Sequence, residues 1–483
     1  MKLRQLLAGV DIVHATADMD MEVGGVACDS RKVQAGDLFV AVVGYATDGN
    51  RYIPMALQKG AKVVVSAVPY DGEAPYVQVR SDRLALAQIG ANFYGHPTTK
   101  MTMIGVTGTN GKTSTTLLLK HVLETVLGAK VGLVGTMENH IGSQVLAAER
   151  TTPESLDLQG LFAQMEAAGC TYAIMEVSSH AIALDRIAGI RYDVCAFTNL
   201  TEDHLDFHKT MEAYGAEKAK LFSRCNKAVI NADDEWAKLM ESGATCPVLT
   251  TSLDKNADLR AEDVRLRADG VAFTALYGEE KARVELPIPG KFTVYNALSV
   301  LGIALQLGLP LLDAAKALLT AKGVKGRVEV VPTPNKPYTV LIDYAHTPDG
   351  LYNVLSSEKG YCKGRLIAVF GCGGDRDPMK RPIMGKIGTD IADIAVLTSD
   401  NPRTEDPNAI LQDVLKGVDG SKTNYVVIEN RPKAIHYAMD IGQKDDIIVL
   451  AGKGHETYQE ICGVKYPMDE RDIVRDYLLE TEN

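Results

Sequence analysis

Met101-Thr-Met-Ile-Gly-Val-Thr-Gly-Thr-Asn-Gly-Lys-Thr-Ser114 decides how the centre of this chain folds. Its apolar start, 101 to 106, reads as a buried strand. Gly108, Thr109, Asn110 and Gly111 make a turn, and the run from Ser114 onward, Ser-Thr-Thr-Leu-Leu-Leu-Lys-His-Val-Leu, has the composition of a helix. Strand, glycine turn and helix in that order make a phosphate-binding loop. Backbone N–H groups converge on phosphate oxygens there, and the helix N-terminus adds partial positive charge. Lys112 is placed to reach the β- and γ-phosphates of a nucleoside triphosphate, and the Thr113 hydroxyl to ligate Mg²⁺. The usual P-loop spacing asks for a glycine at position 106, where this chain has Val106. The first loop glycine is Gly108, so the loop is a variant of the general pattern.

Outward from this loop, strands and helices alternate. Apolar runs at 172–177, 194–199 and 228–231 follow it, the pattern turns β-rich between 246 and 289, and 291–307 reads as a helix. Upstream, 37–43 and 61–66 read as strands of a smaller α/β unit that ends at the Tyr94-Gly-His-Pro97 turn. Lys322-Gly-Val-Lys-Gly-Arg327 reads as a linker, after which strands restart at 339–343, 366–371, 394–398, 425–428 and 446–451. The expectation is an α/β protein of three domains. Residues 1–98 form a small α/β domain, 99–327 a central P-loop domain with a mostly parallel sheet, and 328–483 a Rossmann-like α/β domain.

Bulk properties narrow the function. A chain of 483 residues exceeds one core. Its net charge of −11 argues against a nucleic-acid partner, so an anionic ligand needs cations gathered locally. No apolar run approaches the length of a membrane span, and the N-terminus lacks a signal-peptide pattern; a cytoplasmic protein without membrane insertion is expected. The eight cysteines form no Cys-x-x-Cys pair and read as reduced thiols.

Several side chains sit where parallel sheets place their chemistry, at the carboxyl ends of strands. Glu176 ends one strand and either holds Mg²⁺ or caps the next helix. Thr198-Asn-Leu-Thr-Glu-Asp-His204-Leu-Asp-Phe-His208 follows the next, suiting a metal or phosphate site or else a solvated loop. Lys218, by periodicity, is one more lysine on a helix surface. Three late loops, Gly371-Cys-Gly-Gly-Asp-Arg376, Asp400-Asn-Pro-Arg403 and Ala451-Gly-Lys-Gly-His-Glu456, combine glycine or proline with charges of both signs. Together they suit a zwitterion such as an amino acid.

Thr107-Gly-Thr-Asn-Gly-Lys-Thr113, Glu176-Val-Ser-Ser-His180, Thr198 to His204, Tyr295-Asn-Ala297, Gly326-Arg327, Asp343-Tyr-Ala-His-Thr-Pro348 and Gly452-Lys-Gly-His-Glu456 together resemble the Mur ligases. These are ATP-dependent amide-forming enzymes of peptidoglycan precursor synthesis. Cys28-Asp-Ser-Arg31, Gly36-Asp-Leu-Phe-Val-Ala41 and Asp400-Asn-Pro-Arg403 point to the branch that adds the third peptide residue. The resemblance implies attachment of meso-2,6-diaminopimelate to the D-Glu γ-carboxylate of UDP-MurNAc-L-Ala-D-Glu, through an acyl phosphate, with release of ADP and phosphate. L-Lysine or another diamino acid is the alternative substrate. Folylpolyglutamate synthase shares the central architecture but not the separate first domain, and a non-catalytic ATP-binding scaffold is the remaining rival.

The same resemblance assigns roles. Lys112, Lys218, His204 and Arg327 become catalytic, with Thr113, Glu176, His204 and Lys218 around Mg²⁺. It reverses the surface reading of Lys218, which becomes a lysine carbamylated by CO₂. Asn296, Asp343 and His346 join the phosphate loop in binding ATP. Cys28, Ser30, Tyr45, Ala46 and Thr47 meet the uridine end of the UDP substrate, and Thr151, Thr152, Ser178 and Arg186 its muramoyl-peptide end. Arg376, Asp400, Asn401, Pro402, Arg403, Gly452 and Glu456 meet diaminopimelate, Arg403 pairing with the distal carboxylate that lysine lacks. Leu184, where relatives often carry Gln, and Arg150, before the paired threonines, depart from the pattern. Because these residues come from all three segments, domain closure is expected during turnover.

Overall fold

The structure, a computed structural model, describes residues 1–44, 47–148, 150–254, 256–267 and 269–481, without the Asp206 side chain. Two compact units are present, one of Met1–Leu259 with Ser299–Pro310 and one of Arg260–Leu298 with Leu311–Asn483.

The first unit holds two sheets. The smaller runs in the order Ile12–Ala15, Tyr76–Val79, Val63–Ser66, Leu38–Ala41, Val26–Ala27, with only the first pair antiparallel. Leu38–Ala41 and Val63–Ser66 are buried along their whole length, as β-branched and apolar runs in a covered parallel sheet should be. The larger has six parallel strands in the order Val248–Ser252, Cys225–Asn231, Tyr192–Phe197, Thr102–Thr107, Tyr172–Glu176, Val131–Val134. Glu138–Ile141 and Gln144–Ala147 extend it as antiparallel strands. Thr102–Thr107 sits between a later strand on each side. That makes its carboxyl end a topological switch point, the crevice where parallel sheets bind ligands. The helix after it, Lys112–Leu127, begins two residues before the Ser114 read from composition.

In the second unit a six-stranded sheet runs Glu329–Val331, Thr339–Asp343, Ile447–Ala451, Leu366–Phe370, Ile394–Leu397, Tyr425–Val427, parallel except for the first pair. Apolar layers cover both of its faces. Asp343, Gly371, Asp400 and Gly452 therefore lie together at the carboxyl edge. A separate hairpin, Tyr458–Ile461 with Val464–Pro467, follows the last of these loops.

One buried carboxyl gives this unit a pH-dependent stability. Glu358, on the helix Pro348–Lys359, is fully buried, takes the Tyr361 hydroxyl, and leaves Oε1 without a partner. Burial, with Asp343 nearby, lifts it from an ordinary 4.5 to about 8. Between those values the unfolded chain has released a proton that the folded chain retains, so stability falls as pH rises through the window. Glu358→Gln removes that slope. Its urea midpoint, compared with that of the parent, should rise from pH 5 to pH 8, by a difference on the order of a few kcal/mol.

Candidate active site

The phosphate loop is held in shape by its own backbone and by the neighbouring strand end. Gly108 has φ of 151°, and a Cβ there would stand 1.9 Å from Thr198 Oγ1, so a side chain is excluded. The neighbouring strand end clamps the loop. Thr109 N donates to Asn199 O at 2.8 Å, Asn110 N to Asn199 Oδ1 at 2.9 Å, and Thr198 Oγ1 to Asn110 O at 2.6 Å. Gly111, with φ of 83°, hands the chain to the helix at Lys112. The Lys112 ammonium folds back onto Gly108 O at 2.9 Å and Thr109 O at 2.8 Å.

Lys218 is not on a helix surface. Its side chain is almost wholly enclosed at 1% exposure, and Nζ donates to the same Gly108 carbonyl at 3.0 Å, 4.7 Å from the Tyr214 ring centroid. Burial, then the charge of Lys112, hold its ammonium well below the usual lysine range. Periodicity failed here because the helix Met211–Ala219 buries the face that carries Lys218 and Tyr214, and these two side chains meet the phosphate loop at Gly108 and Thr109.

Glu176, 0% exposed, accepts from Thr113 Oγ1 at 2.9 Å and from Thr136 through its N–H at 3.0 Å and hydroxyl at 2.8 Å. The carboxylate caps no helix: the next one, Ser179–Ala183, is capped by Ser178 Oγ. Thr136 Oγ1 continues to Thr151 Oγ1 at 3.1 Å. Thr152 Oγ1 donates to Glu176 O at 2.8 Å, and the Thr152 carbonyl accepts from Arg186 at 3.1 Å. Arg186 in turn pairs with Glu154 at 2.8 Å, which also meets Arg150 at 3.2 Å and Arg83 at 3.5 Å. Thr151, Thr152, Ser178 and Arg186 are thus brought beside Glu176. Leu184 contributes through its backbone, its carbonyl accepting from Arg83 at 3.1 Å.

His204 has a left-handed backbone, φ 55°, at the start of the helix Leu205–His208. Its ring is 4.8 Å from that of His180 and 6.0 Å from that of Tyr214. Among the described residues no three His, Cys, Asp or Glu side chains gather into a cation cage. Of the uridine-side residues, Cys28 has its thiol pushed up to about 12 by burial and by Asp157 and Glu154. Ser30 is buried against Met55, and the Thr47 carbonyl takes Gly44 N at 2.8 Å. Tyr45 and Ala46 lie outside the described residues.

In the second unit, Asp343 is buried, accepting from Val328 N and Ala345 N at 2.8 Å each, and burial lifts its carboxyl. That grip sets Arg327, one residue earlier, 5.0 Å over the Tyr344 ring. His346 Nδ1 lies 2.8 Å from Tyr344 O, and desolvation by its neighbours, with Lys380 and Arg327 nearby, holds its pKa below the usual histidine range. Asn296 is buried on the helix Lys291–Gln306.

Asp400 and Asn401 are buried, and Gly452, φ 113°, brings the adjacent loop so close that a Cβ would meet Asp400 Oδ2 at 2.6 Å. Asn401 Nδ2 donates to Glu456 Oε2 at 2.9 Å. The Pro402 carbonyl takes Glu405 N at 3.0 Å, closing the turn. Arg403, in a left-handed backbone of φ 50°, donates Nε to Glu460 at 3.2 Å and Nη1 to Gly374 O at 2.8 Å. Arg376 is exposed and bonded to the Asp375 carbonyl, and a Cβ on Gly373 would meet both its Cγ, at 3.9 Å, and Arg403 Nη1, at 3.0 Å. Sequence reasoning missed Thr136, Asn199, Glu154 and Lys453. Thr136 had a usable signal, a hydroxyl just past the end of a strand beside Glu176.

A variant P-loop backed by buried hydroxyls, a carboxylate and a second lysine is the equipment of an enzyme that spends a nucleoside triphosphate. Sequence comparison narrows the class. Residues 22–94 match the Mur ligase family catalytic domain, 106–304 the Mur ligase middle domain, and 326–454 the Mur ligase glutamate ligase domain. The UDP-N-acetylmuramoyl-L-alanyl-D-glutamate--2,6-diaminopimelate ligase of Clostridium botulinum is 46% identical over 95% of this chain and 96% of its own length. The enzyme of the same name from Caldanaerobacter subterraneus subsp. tengcongensis is 46% identical over the whole of both chains. A solved structure of a ligase of that name superposes with a TM-score of 0.75 at 32% identity, covering 100% of this chain and 99% of the other. The chain belongs to the Mur ligase family.

Proposed function

We propose that this protein is an ATP-dependent ligase that adds meso-2,6-diaminopimelate to the D-Glu γ-carboxylate of UDP-MurNAc-L-Ala-D-Glu, a step of peptidoglycan precursor synthesis. The observation that carries it is end-to-end similarity to ligases named for that reaction. Residues 1–98 would take the uridine end, 99–327 the ATP and muramoyl-peptide, and 328–483 the amino acid. All three substrates are small molecules. The cytoplasmic setting belongs to the same proposal, since UDP-linked precursors and ATP are cytoplasmic metabolites. Among the described residues no helix is long and apolar enough to cross a membrane.

The chemistry is phosphoryl transfer followed by acyl transfer. The γ-carboxylate oxygen attacks the γ-phosphorus, the bond to the bridging oxygen breaks, and ADP leaves. The diaminopimelate amine then attacks the acyl carbon, loses a proton, and a tetrahedral intermediate expels phosphate. Bringing two anions together is the main obstacle, so preorganised positive charge and N–H donors supply most of the catalysis. Gly108 to Ser114 supply those donors, and Lys112 leaves its two loop carbonyls for phosphate oxygens. Arg327 would add a second cation, while Asn296, Asp343 and His346 line the nucleotide side. Thr151, Thr152, Ser178 and Arg186 would hold the peptide end of the acceptor.

The oxygen donors of half-buried Thr113 and buried Glu176, 2.9 Å apart, fit Mg²⁺. With His204 they would hold it, and it would supply charge neutralisation at the phosphates. Lys218 would join this set as a carbamate. Carbamylation consumes a neutral amine, and burial beside Lys112 favours that form.

The deciding experiment follows ADP release by the purified protein with ATP, Mg²⁺, the UDP-dipeptide and either meso-diaminopimelate or L-lysine. Release with diaminopimelate and at most about 1% of that kcat/KM with lysine is the expected result. Equal turnover of both overturns the selectivity, and no release with either overturns the activity.

A further inference from the structure

Lys453, between Gly452 and Gly454, has a completely buried side chain at 0% exposure. Its ammonium donates to Asn401 Oδ1 at 2.8 Å and Glu456 Oε2 at 2.7 Å, with the Tyr458 ring centroid 5.2 Å away. Those two acceptors are joined to each other, Asn401 Nδ2 donating to the same Glu456 oxygen at 2.9 Å. A backbone N–H from the hairpin, Glu460 N, completes the arrangement at Asn401 Oδ1, also at 2.9 Å.

This triangle has two effects. Asn401 Oδ1 faces two donors, so the amide cannot turn over without opposing N–H to N–H, and its nitrogen is committed to Glu456. Glu456 Oε2 is saturated by two donors, while Oε1 takes no hydrogen bond from any described residue. The carboxylate thus offers one open oxygen in a fixed direction, a single-point acceptor for an ammonium. A fully buried cation is costly unless paired, so Lys453 is tied to both partners, and they to it.

We propose that Lys453 is a positioning residue for the incoming amino acid, locking Asn401 and Glu456 so that the open Glu456 oxygen meets an ammonium of the substrate. The inference rests on the reading above that these loops bind diaminopimelate. Lys453 would touch no substrate atom; it acts through the two side chains it holds.

Steady-state kinetics of Lys453→Met test it. KM for diaminopimelate should rise about 100-fold, the scale of a broken buried ion pair. KM for ATP and for the UDP-dipeptide should stay within about twofold of the parent, as expected when only the amino-acid loops change. Since Lys453 acts through Glu456, the double variant K453M/E456Q should be no worse than E456Q alone. An unchanged KM for diaminopimelate, multiplicative losses in the double variant, or an equal rise of all three KM values overturns the proposal. If K453M does not fold, K453Q, which is shorter and uncharged, carries the same test. A parent enzyme that never uses diaminopimelate would instead refute the function proposed above, whereas a selective parent with an indifferent K453M refutes this inference alone.

Discussion

Replacing Lys218 with methionine should lower kcat by about three orders of magnitude, at the upper end of what losing one preorganised charge-stabilising group costs. The substitution keeps the apolar stem that packs by Tyr214 and removes only the amine above Gly108 O. A merely structural lysine would lose only its bond to Gly108 O and its contact with the Tyr214 ring, which would change stability and leave kcat near that of the parent. Intact-protein mass spectrometry of the parent at mildly alkaline pH, in bicarbonate, should show the added mass of one CO₂, absent from the variant. The pH dependence has a definite sign. The folded-state pKa of Lys218 lies below its ordinary value, so the neutral amine that reacts with CO₂ dominates above that lowered pKa and is lost as pH falls through it. Activity and added mass should therefore disappear together on the acidic side. Full activity in K218M, or activity persisting after the mass is gone, would count against the carbamate.

The second large effect is expected at Arg403. Arg403→Met should reduce kcat/KM for meso-diaminopimelate by at least about 10²-fold while leaving the much lower value for lysine nearly unchanged. Glu460 takes Nε and Gly374 O takes Nη1, which leaves the Nη2 hydrogens for an incoming carboxylate. Lysine cannot supply that carboxylate, so the half-buried guanidinium would keep only Glu460 and Gly374 O. Competition assays with both amino acids measure the ratio directly. A ratio that survives the substitution places selectivity elsewhere.

The fold was legible in the sequence where one strand's register settles much else. The apolar run read at 101–106 with its glycine turn implied a parallel sheet, and the runs read at 172–177, 194–199 and 228–231 mark the covered parts of strands that span 172–176, 192–197 and 225–231. Lys218 was not legible that way. A 3.6-residue period says which residues share a face, but not that this face packs against a loop more than a hundred residues earlier. Glu176 stayed ambiguous for a related reason: only the folded arrangement reveals that Ser178, and not Glu176, caps the next helix. Thr136 stood just past a strand end, and Asn199 and Lys453 stood inside motifs that carry the resemblance, but their partners Glu176, Asn110 and Asn401 lie far along the chain, so position alone gave none of the three a role.

Beneath the amino-acid loops, Arg431 is wholly enclosed. It donates to the carbonyls of Ser399 and Ala451 and pairs with Glu470, also wholly enclosed, at 2.8 Å. Ser399 and Ala451 are the residues from which the Asp400 and Gly452 loops depart. Glu470 opens the helix Glu470–Thr481, which is made after both. On the ribosome, then, the two loops emerge before the carboxylate that pairs with the arginine at their roots, so their fixed arrangement waits on the docking of a helix made after them.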